Sequence, residues 1–287
     1  MRISGRTRVC AVIGDPVEHS LSPVMHNAAF EAKNLDFVFV SFRVEKGKVG
    51  SALRGMRSLN IHGLNVTMPH KCAVLKYLDE VDETAYFLGS VNTILNCDGK
   101  LVGFNTDGSG AVIALRENNV TLQNAKLLLI GGGGAAKAIA HAVAAEVEEL
   151  VILNRTLSKI ASFAEHLRRR CEAHVHVEKL SEASIVEHLR NADVLINATC
   201  VGMHPYSGQS LIPARLLRSN LTVMDIVYHP LETKLLSDAK AVGAKIINGL
   251  EMLVYQGAAS FRIWTGVQPP VDIMREAVLK VSNNQGA

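Results

Sequence analysis

Two rhythms of apolar and polar positions divide the chain. Short apolar runs predict buried strands at Val9 to Gly14, Phe37 to Val44, Ile61 to Thr67, Leu127 to Ile130, Leu150 to Leu153, around Val175 and Val177, Asp193 to Thr199, and Leu221 to Val227. Between them apolar residues return at helical spacing. Helices are predicted from Ser22 and Pro23 to about Lys33, over Val49 to Ser58 with Leu53 and Met56 inward, and from Pro69 through Val74, Leu75 and Leu78. Further helices are predicted over Gly110 to Glu117, after Ala136 with Ile139, Ala140, Val143 and Ala144 inward, from Thr233 to Val242, and over Leu250 to Ile263. Ser22 can cap its helix, with Pro23 at the first helical position. Val91 to Phe104 predicts a hairpin that turns at Asp98-Gly99. Strand and helix alternate, which predicts an α/β class with mostly parallel sheets.

The 287 residues suit one large or two ordinary domains, and 48% hydrophobic residues supply a sizeable core and exclude disorder. A net charge of +3 is too slight to make nucleic acid or a membrane the main partner. No apolar run is long enough to span a bilayer, and the basic segment Met1 to Arg8 lacks the apolar stretch of a signal peptide. Cys10, Cys72, Cys97, Cys171 and Cys200 are odd in number and scattered, so they read as reduced thiols in a cytoplasmic protein. His19, His26, His70 and His204 show no ligand spacing with a carboxylate or cysteine, and no metal site is expected.

The run Leu127-Leu128-Leu129-Ile130 leads straight into Gly131-Gly132-Gly133-Gly134-Ala135-Ala136. This reads as a strand, a tight turn and a helix start, and Gly131, Gly133 and Ala136 match the Gly-x-Gly-x-x-Gly/Ala spacing of a dinucleotide turn. The first glycine permits the turn, the second lets the backbone approach a pyrophosphate, and the small third residue lets helix and strand pack closely. The N–H groups of the helix start, with the positive end of its dipole, favour phosphate there.

In parallel α/β sheets ligands sit beyond the carboxyl ends of the strands. Ser20 and Ser22 stand at one such junction; they read either as a cap plus an exposed serine or as two hydroxyls for a carboxylate or alcohol. At the next, Asn65 offers a donor and an acceptor, Thr67 a hydroxyl and Lys71 a cation, a set suited to a polyhydroxylated acid. Asn92 opens the hairpin and Asn105-Thr106-Asp107-Gly108 closes it; Asp107 reads either as the cap of the Gly110 helix or as an acid/base group opposite Lys71.

Ser20-x-Ser22-Pro23 and Asn65-Val66-Thr67-x-Pro69-His70-Lys71, with Ser90 to Thr93, Asn105 to Gly110, the Gly131 turn, Asn154 to Thr156, Asn197 to Met203, Asp225 to Thr233 and Gly249 to Gln256, resemble the shikimate dehydrogenase family. That family is NADP-dependent and serves the aromatic amino-acid pathway, and the resemblance covers nearly the whole chain. It implies that Ser20, Ser22, Asn65, Thr67, Lys71, Asn92, Asp107 and Gln256 surround the substrate, and that Tyr228 and Gly249 border nicotinamide and substrate. It also implies that the Leu250 helix and one from about Val271 to Lys280 return to the first domain. The expected organisation is therefore a discontinuous substrate domain, 1–106 plus 250–287, a Rossmann-like doubly wound NADP-binding domain, 107–249, and a cleft between them.

The second strand of the nucleotide half ends in Asn154-Arg155-Thr156, with Lys159 shortly after. An acid bonding the ribose 2′-hydroxyl usually stands at this distance past the glycines, and none does here. A guanidinium would hold a 2′-phosphate that a carboxylate repels, so NADP(H) is expected over NAD(H). The alternative is that Arg155 is a surface arginine beside an ordinary cap at Thr156. The turn at Thr199 suits ribose or nicotinamide, and Val227 precedes Tyr228. Cys200, where family members often carry serine, is given no role. Along the Leu250 helix, Leu250, Leu253, Val254, Ala258 and Phe261 read as a core stripe from which Gln256 projects elsewhere.

The expected reaction is hydride transfer between NADP(H) and C3 of shikimate/3-dehydroshikimate, in a monomer or a homodimer. Lys71 would supply a positive field, and Lys71 or Asp107 the proton. The rivals are a quinate/shikimate dehydrogenase with broader substrate or cofactor use, and a non-catalytic NADP-binding regulator that keeps the fold.

Overall fold

The computed structural model describes residues 3–284 of the chain. Met1 and Arg2 of the basic N-terminal segment, and 285–287 of the expected first domain, lie outside the described residues. The chain divides into two compact units, one running to Thr106 and resuming at Val254, the other spanning Asp107–Leu253. No helix among the described residues is long and apolar enough to cross a membrane.

The first unit contains β1 (Arg8–Gly14), α1 (Ser22–Ala32), β2 (Phe37–Arg43), α2 (Val49–Ser58), β3 (Gly63–Val66), β4 (Glu80–Val81), α3 (Glu83–Leu88), β5 (Thr93–Cys97) and β6 (Lys100–Phe104). They form a mixed sheet in the order β2-β1-β3-β5-β6-β4, parallel around β1 and antiparallel where the hairpin joins β3. The hairpin closes as a two-residue turn because Asp98 and Gly99 both take positive φ, 52° and 91°, the pair a type I′ turn needs. The Asn27 side chain clamps α1 to β2 by bonding both the N–H and the carbonyl of Phe39, at 2.8 and 2.9 Å.

Two expected helix starts are corrected. Ser22 does not cap α1: Leu21 holds the cap position without a side-chain bond, and the Ser22 N–H instead donates to Ser20 Oγ at 3.3 Å. Pro69 starts no helix; Thr67–His70 closes as a turn, with His70 N donating to Thr67 O at 2.9 Å, and only a short 3₁₀ segment, Ala73–Tyr77, follows. Lacking an N–H, proline fits that turn as readily as a first helical turn.

The second unit contains α4 (Asp107–Glu117), β7 (Lys126–Ile130), α5 (Gly134–Val143), β8 (Glu149–Asn154), α6 (Ala161–Arg168), β9 (His174–Lys179), α7 (Glu182–Leu189), β10 (Val194–Asn197), β11 (Thr222–Asp225), α8 (Lys234–Ala241) and β12 (Lys245–Ile247). Every strand pair is parallel, in the order β12-β11-β10-β7-β8-β9, the doubly wound arrangement with its switch point between β7 and β10. The near-continuous apolar strands bury both faces: Leu128, Ile130, Val151, Leu153, Leu195 and Val223 share the core on one side, and Leu127, Leu129, Leu150, Ile152, Ile196 and Met224 are buried on the other. Asp107 is the first residue of α4 rather than the cap of a helix beginning at Gly110.

α9 (Gly249–Thr265) leads the chain out of the second unit, and α10 (Val271–Asn284) ends the first. Leu250, Val254, Ala258 and Phe261 are buried as expected, whereas Leu253 is only half-buried. Trp264 closes α9 onto the first sheet, its indole N–H bonded to Ile94 O at 3.0 Å.

His26 of α1 is fully buried among aromatic rings, stacked on Phe39 at 4.5 Å, and neither ring nitrogen has a hydrogen-bond partner. Burial drives its pKa from 6.5 down to about 3, against a small upward pull from the Asn65 side chain. The folded state therefore refuses a proton that the unfolded state accepts. Stability from this residue is complete above the unfolded value of 6.5 and is lost as pH falls toward about 3. Urea titrations should show His26→Phe removing up to about 1.4 kcal/mol per pH unit of the acid-side slope in that window. A wild-type slope unchanged by the substitution would assign acid sensitivity to other groups.

Candidate active site

Two loops leave the carboxyl ends of neighbouring strands in the first unit. They are drawn together at Gly14, where a side chain would press on Thr67 Cγ2 and stand 3.1 Å from Met68 O. Backbone bonds Asp15 N to Met68 O and Thr67 N to Ile13 O, both 3.0 Å, fasten them. One loop carries Ser20, half-buried, and leads to Ser22, buried; the other carries Thr67 and Lys71, both half-buried. The main chain at Lys71 is fixed because its carbonyl accepts from Val91 N at 2.9 Å. His70 anchors the same turn through Nε2, 2.6 Å from Val44 O.

Beside these loops a net of amides and hydroxyls is buried. Asn92, 2% exposed, accepts at Oδ1 from Thr106 N (2.9 Å) and Thr93 Oγ1 (3.0 Å), and its Nδ2 donates to Thr106 Oγ1 (2.9 Å) and Gln256 Oε1 (3.3 Å). Asn65 Nδ2 donates to Asn92 O and Thr93 Oγ1, both 3.3 Å, and to Ser260 Oγ at 3.1 Å. Ser260 Oγ lies 2.7 Å from Thr93 Oγ1 and donates to Gln256 O at 3.1 Å. The structure thus joins three of the expected residues, Asn65, Asn92 and Gln256, through three that sequence reasoning passed over, Thr93, Thr106 and Ser260. Ser260 carried a readable signal: it lies one helical turn after Gln256, on the same face. Removing one member of such a net leaves buried partners unpaired at about 1–3 kcal/mol each.

In the second unit Gly131 makes the turn. Its φ is +130°, and a Cβ would lie 2.6 Å from the carbonyl oxygen of Ala198, the residue just after β10. Gly132 packs on the Asn154 amide, and Asn154 Nδ2 donates to Thr156 O at 2.9 Å, so the turns after β7 and β8 brace each other. Gly133, at the cap of α5, has an extended backbone and nothing within 4 Å of its Cβ position, and no side chain caps the helix. Gly134, Ala135 and the buried Ala136 form the first turn. Arg155, Thr156 and Lys159 are exposed, and the Thr156 side chain makes no capping bond. This is an open, cation-flanked helix end, and it fits a dinucleotide phosphate.

Asn197 and Asp225, buried at the ends of β10 and β11, organise the remaining residues. Asn197 Oδ1 accepts from Thr199 Oγ1 at 2.8 Å, and Asn197 Nδ2 donates to Asp225 Oδ1 at 3.0 Å. Asp225 Oδ1 also accepts from Val227 N at 3.1 Å, and Oδ2 from Thr233 Oγ1 at 2.7 Å. Burial raises the Asp225 pKa, and those three donors oppose the rise. Burial likewise raises the phenol of Tyr228. Gly249 lies flush on Ile226 and Val227, where a Cβ would come within 2.7 Å of the Val227 carbonyl carbon. Asp107, 4% exposed, sits in the first turn of α4, where the helix dipole favours its charge. Cys200 is exposed. The ligand atoms of Glu178, Glu187 and His188 come within 4.8 Å of one another, and His188 Nε2 lies in hydrogen-bond contact with Glu178 Oε2 at 2.7 Å.

Comparison with known proteins covers the chain in three blocks. Residues 12–94 match the shikimate dehydrogenase substrate binding domain, 113–227 the shikimate / quinate 5-dehydrogenase family, and 249–279 the shikimate 5'-dehydrogenase C-terminal domain. The shikimate dehydrogenase (NADP(+)) of Pyrococcus abyssi is 48% identical over 95% of this chain and 98% of its own. That of Methanocaldococcus jannaschii is 43% identical over 96% of this chain and 98% of its own. The crystal structure of the shikimate 5-dehydrogenase from Thermus thermophilus, in complex with NADP(H) and shikimate, superposes with a TM-score of 0.86 at 36% identity, covering 95% of this chain and 99% of that one.

Proposed function

The chain belongs to the shikimate dehydrogenase family, and from that premise we propose that it catalyses the reversible NADPH-dependent reduction of 3-dehydroshikimate to shikimate, in the cytoplasm, in the route to aromatic amino acids. The observation that carries the reading is the uncapped glycine turn of the second unit, flanked by Arg155 and Lys159 where an NAD-type fold places an acid. The chain's 1–106 and 250–287 segments serve the substrate and 107–249 the cofactor.

Gly131 to Ala136 receive the pyrophosphate. Asn154, Arg155, Thr156 and Lys159 receive the adenosine end with its 2′-phosphate, which a guanidinium binds through paired charge-assisted bonds. Thr199, held by Asn197, and Val227 and Gly249 line the ribose and nicotinamide end. When bound, NADPH supplies the hydride.

Ser20 and Ser22 bind the ring carboxylate. Thr67, Asn92 and Gln256 fix ring hydroxyls, and Tyr228 borders the ring. Asn65 fixes a ring hydroxyl as well: its Nδ2 is engaged inside the net, and its buried Oδ1, which accepts no hydrogen bond there, is left for the substrate. Lys71 sets a positive field at the oxygen on which charge develops, and Lys71 or Asp107 delivers the proton. Fixed donors of this kind contribute several kcal/mol through positioning.

The test is oxidation of shikimate with NADP⁺, followed by NADPH absorbance, run beside quinate and beside NAD⁺. Turnover should be strong with shikimate and NADP⁺ and weak in the other combinations. Equal use of quinate would move the chain to the broader quinate/shikimate class, and binding of NADPH without turnover of either acid would make it a regulator.

A further inference from the structure

We propose that Lys137 is a third cation for the 2′-phosphate of the dinucleotide, alongside Arg155 and Lys159; the inference rests on the cofactor reading above. Lys137 stands in the first turn of α5, where the positive end of the helix dipole opposes a cation. Its ammonium does not stay over that helix end. It reaches across to α6, with Nζ 5.6 Å from the centroid of the Phe163 ring, whose electron-rich face holds it. Phe163 lies in the first turn of α6, directly after the segment Asn154–Lys159.

The turns after β7 and β8 leave the sheet side by side, since Ile130 and Leu153 are register partners in parallel strands and Gly132 packs on Asn154. Lys137 is therefore drawn toward the Arg155 segment and away from the backbone in front of Gly133. This separates a role at the ribose phosphate from one at the pyrophosphate.

The charges here are also uncompensated. Elsewhere in the unit Arg116, Lys126, Arg169, Arg215, Lys234 and Lys240 each stand beside a carboxylate, Arg168, Arg218 and Lys245 bond main-chain carbonyls, and of the scattered cations only Lys179 and Arg190 have neither partner among the described residues. Among the described residues Lys137, Arg155 and Lys159 have no carboxylate within the same reach, and neither α5 nor α6 has an acid in its first turn. Three cations borne on adjoining turns, with no acid in the first turn of either helix, leave a positive field that an anion from outside complements. A phosphate dianion on the ribose is the group that distinguishes NADPH from NADH.

Dissociation constants for NADPH and NADH, read by nucleotide fluorescence on the full chain, test this. Lys137→Gln should weaken NADPH about ten-fold, the size expected for one charge-assisted bond, and leave NADH within two-fold. Lys137→Arg should keep the wild-type discrimination, and thermal midpoints should stay together because Lys137 is only half-buried. Equal weakening of both nucleotides, or no change in either, overturns the inference. Arg155→Ala separates this from failure of the underlying reading. If Arg155→Ala loses NADPH discrimination and Lys137→Gln does not, only the third cation falls. If the unaltered protein binds NADPH no better than NADH, the cofactor reading falls with it.

Discussion

Lys71→Ala should lower kcat by roughly 10²–10⁴, the range for losing a positioned acid–base group, while the KM for shikimate changes only a few-fold. The asymmetry follows from where the lysine is held. Its main chain is fixed independently of its side chain, through Val91 N to Lys71 O at 2.9 Å and the Thr67–His70 turn anchored to Val44. Its side chain is half-buried, so truncation opens no core cavity and leaves Asn92, Thr106 and Gln256 in their own net. Ground-state contacts to carboxylate and hydroxyls then persist, and what is lost is the field felt by an oxygen that becomes an alkoxide. A loss made only in the transition state lowers kcat and kcat/KM together. Near-normal turnover in the variant would strip Lys71 of its catalytic role. A rise in KM at unchanged kcat would make it a binding residue.

The sequence disclosed best those features whose local chemistry and tertiary role agree. The strand at Leu127–Ile130, the glycines after it and the alanine-rich helix all point locally to one strand-turn-helix unit, and the structure has them as β7, a turn at φ +130° and α5. The Asp98-Gly99 hairpin is of the same kind. Short amphipathic pieces were illegible. α3 is six residues long and α7 eight, too short for a helical period to stand out, although Asp82 and the Ser181–Ser184 capping box mark their starts. β12 has three residues and a single fully buried side chain. Around the candidate site, residue type was legible and partnership was not. Ser22, read as a cap, is displaced from that position by one residue, and Asn65, a free-looking carboxamide in the sequence, spends its amide on Asn92, Thr93 and Ser260. Those partners come from distant segments, and nothing in a linear pattern states which buried hydroxyl will face which amide.

Gly131→Ala and Gly133→Ala should part company, one failing in stability and the other in binding. At Gly131 an added methyl meets two obstacles. The backbone lies at φ +130°, where an L side chain is strained, and the Cβ would fall 2.6 Å from the Ala198 carbonyl oxygen, a main-chain atom pinned by its place beside β10. Strain and overpacking together cost about 2–5 kcal/mol. For a unit of this size the thermal midpoint should fall by roughly 5–15 °C. At Gly133 neither obstacle exists: φ is −79°, ψ is −177°, and nothing lies within 4 Å of the Cβ position. The poorer cap that alanine makes is offset by the entropy the unfolded chain loses, each about 0.5–1 kcal/mol, so the midpoint should hardly move. The open space is where a pyrophosphate would approach the backbone, and a methyl group standing there should weaken NADPH roughly ten- to hundred-fold. Melting curves with and without NADPH distinguish the two, because a ligand that binds only the folded state raises the midpoint in proportion to its affinity. Gly133→Ala should melt like the unaltered protein alone and lose most of the NADPH-induced shift. If it kept that shift in full, the helix end at Gly133 would not be where the phosphates bind, however well the glycine spacing matches.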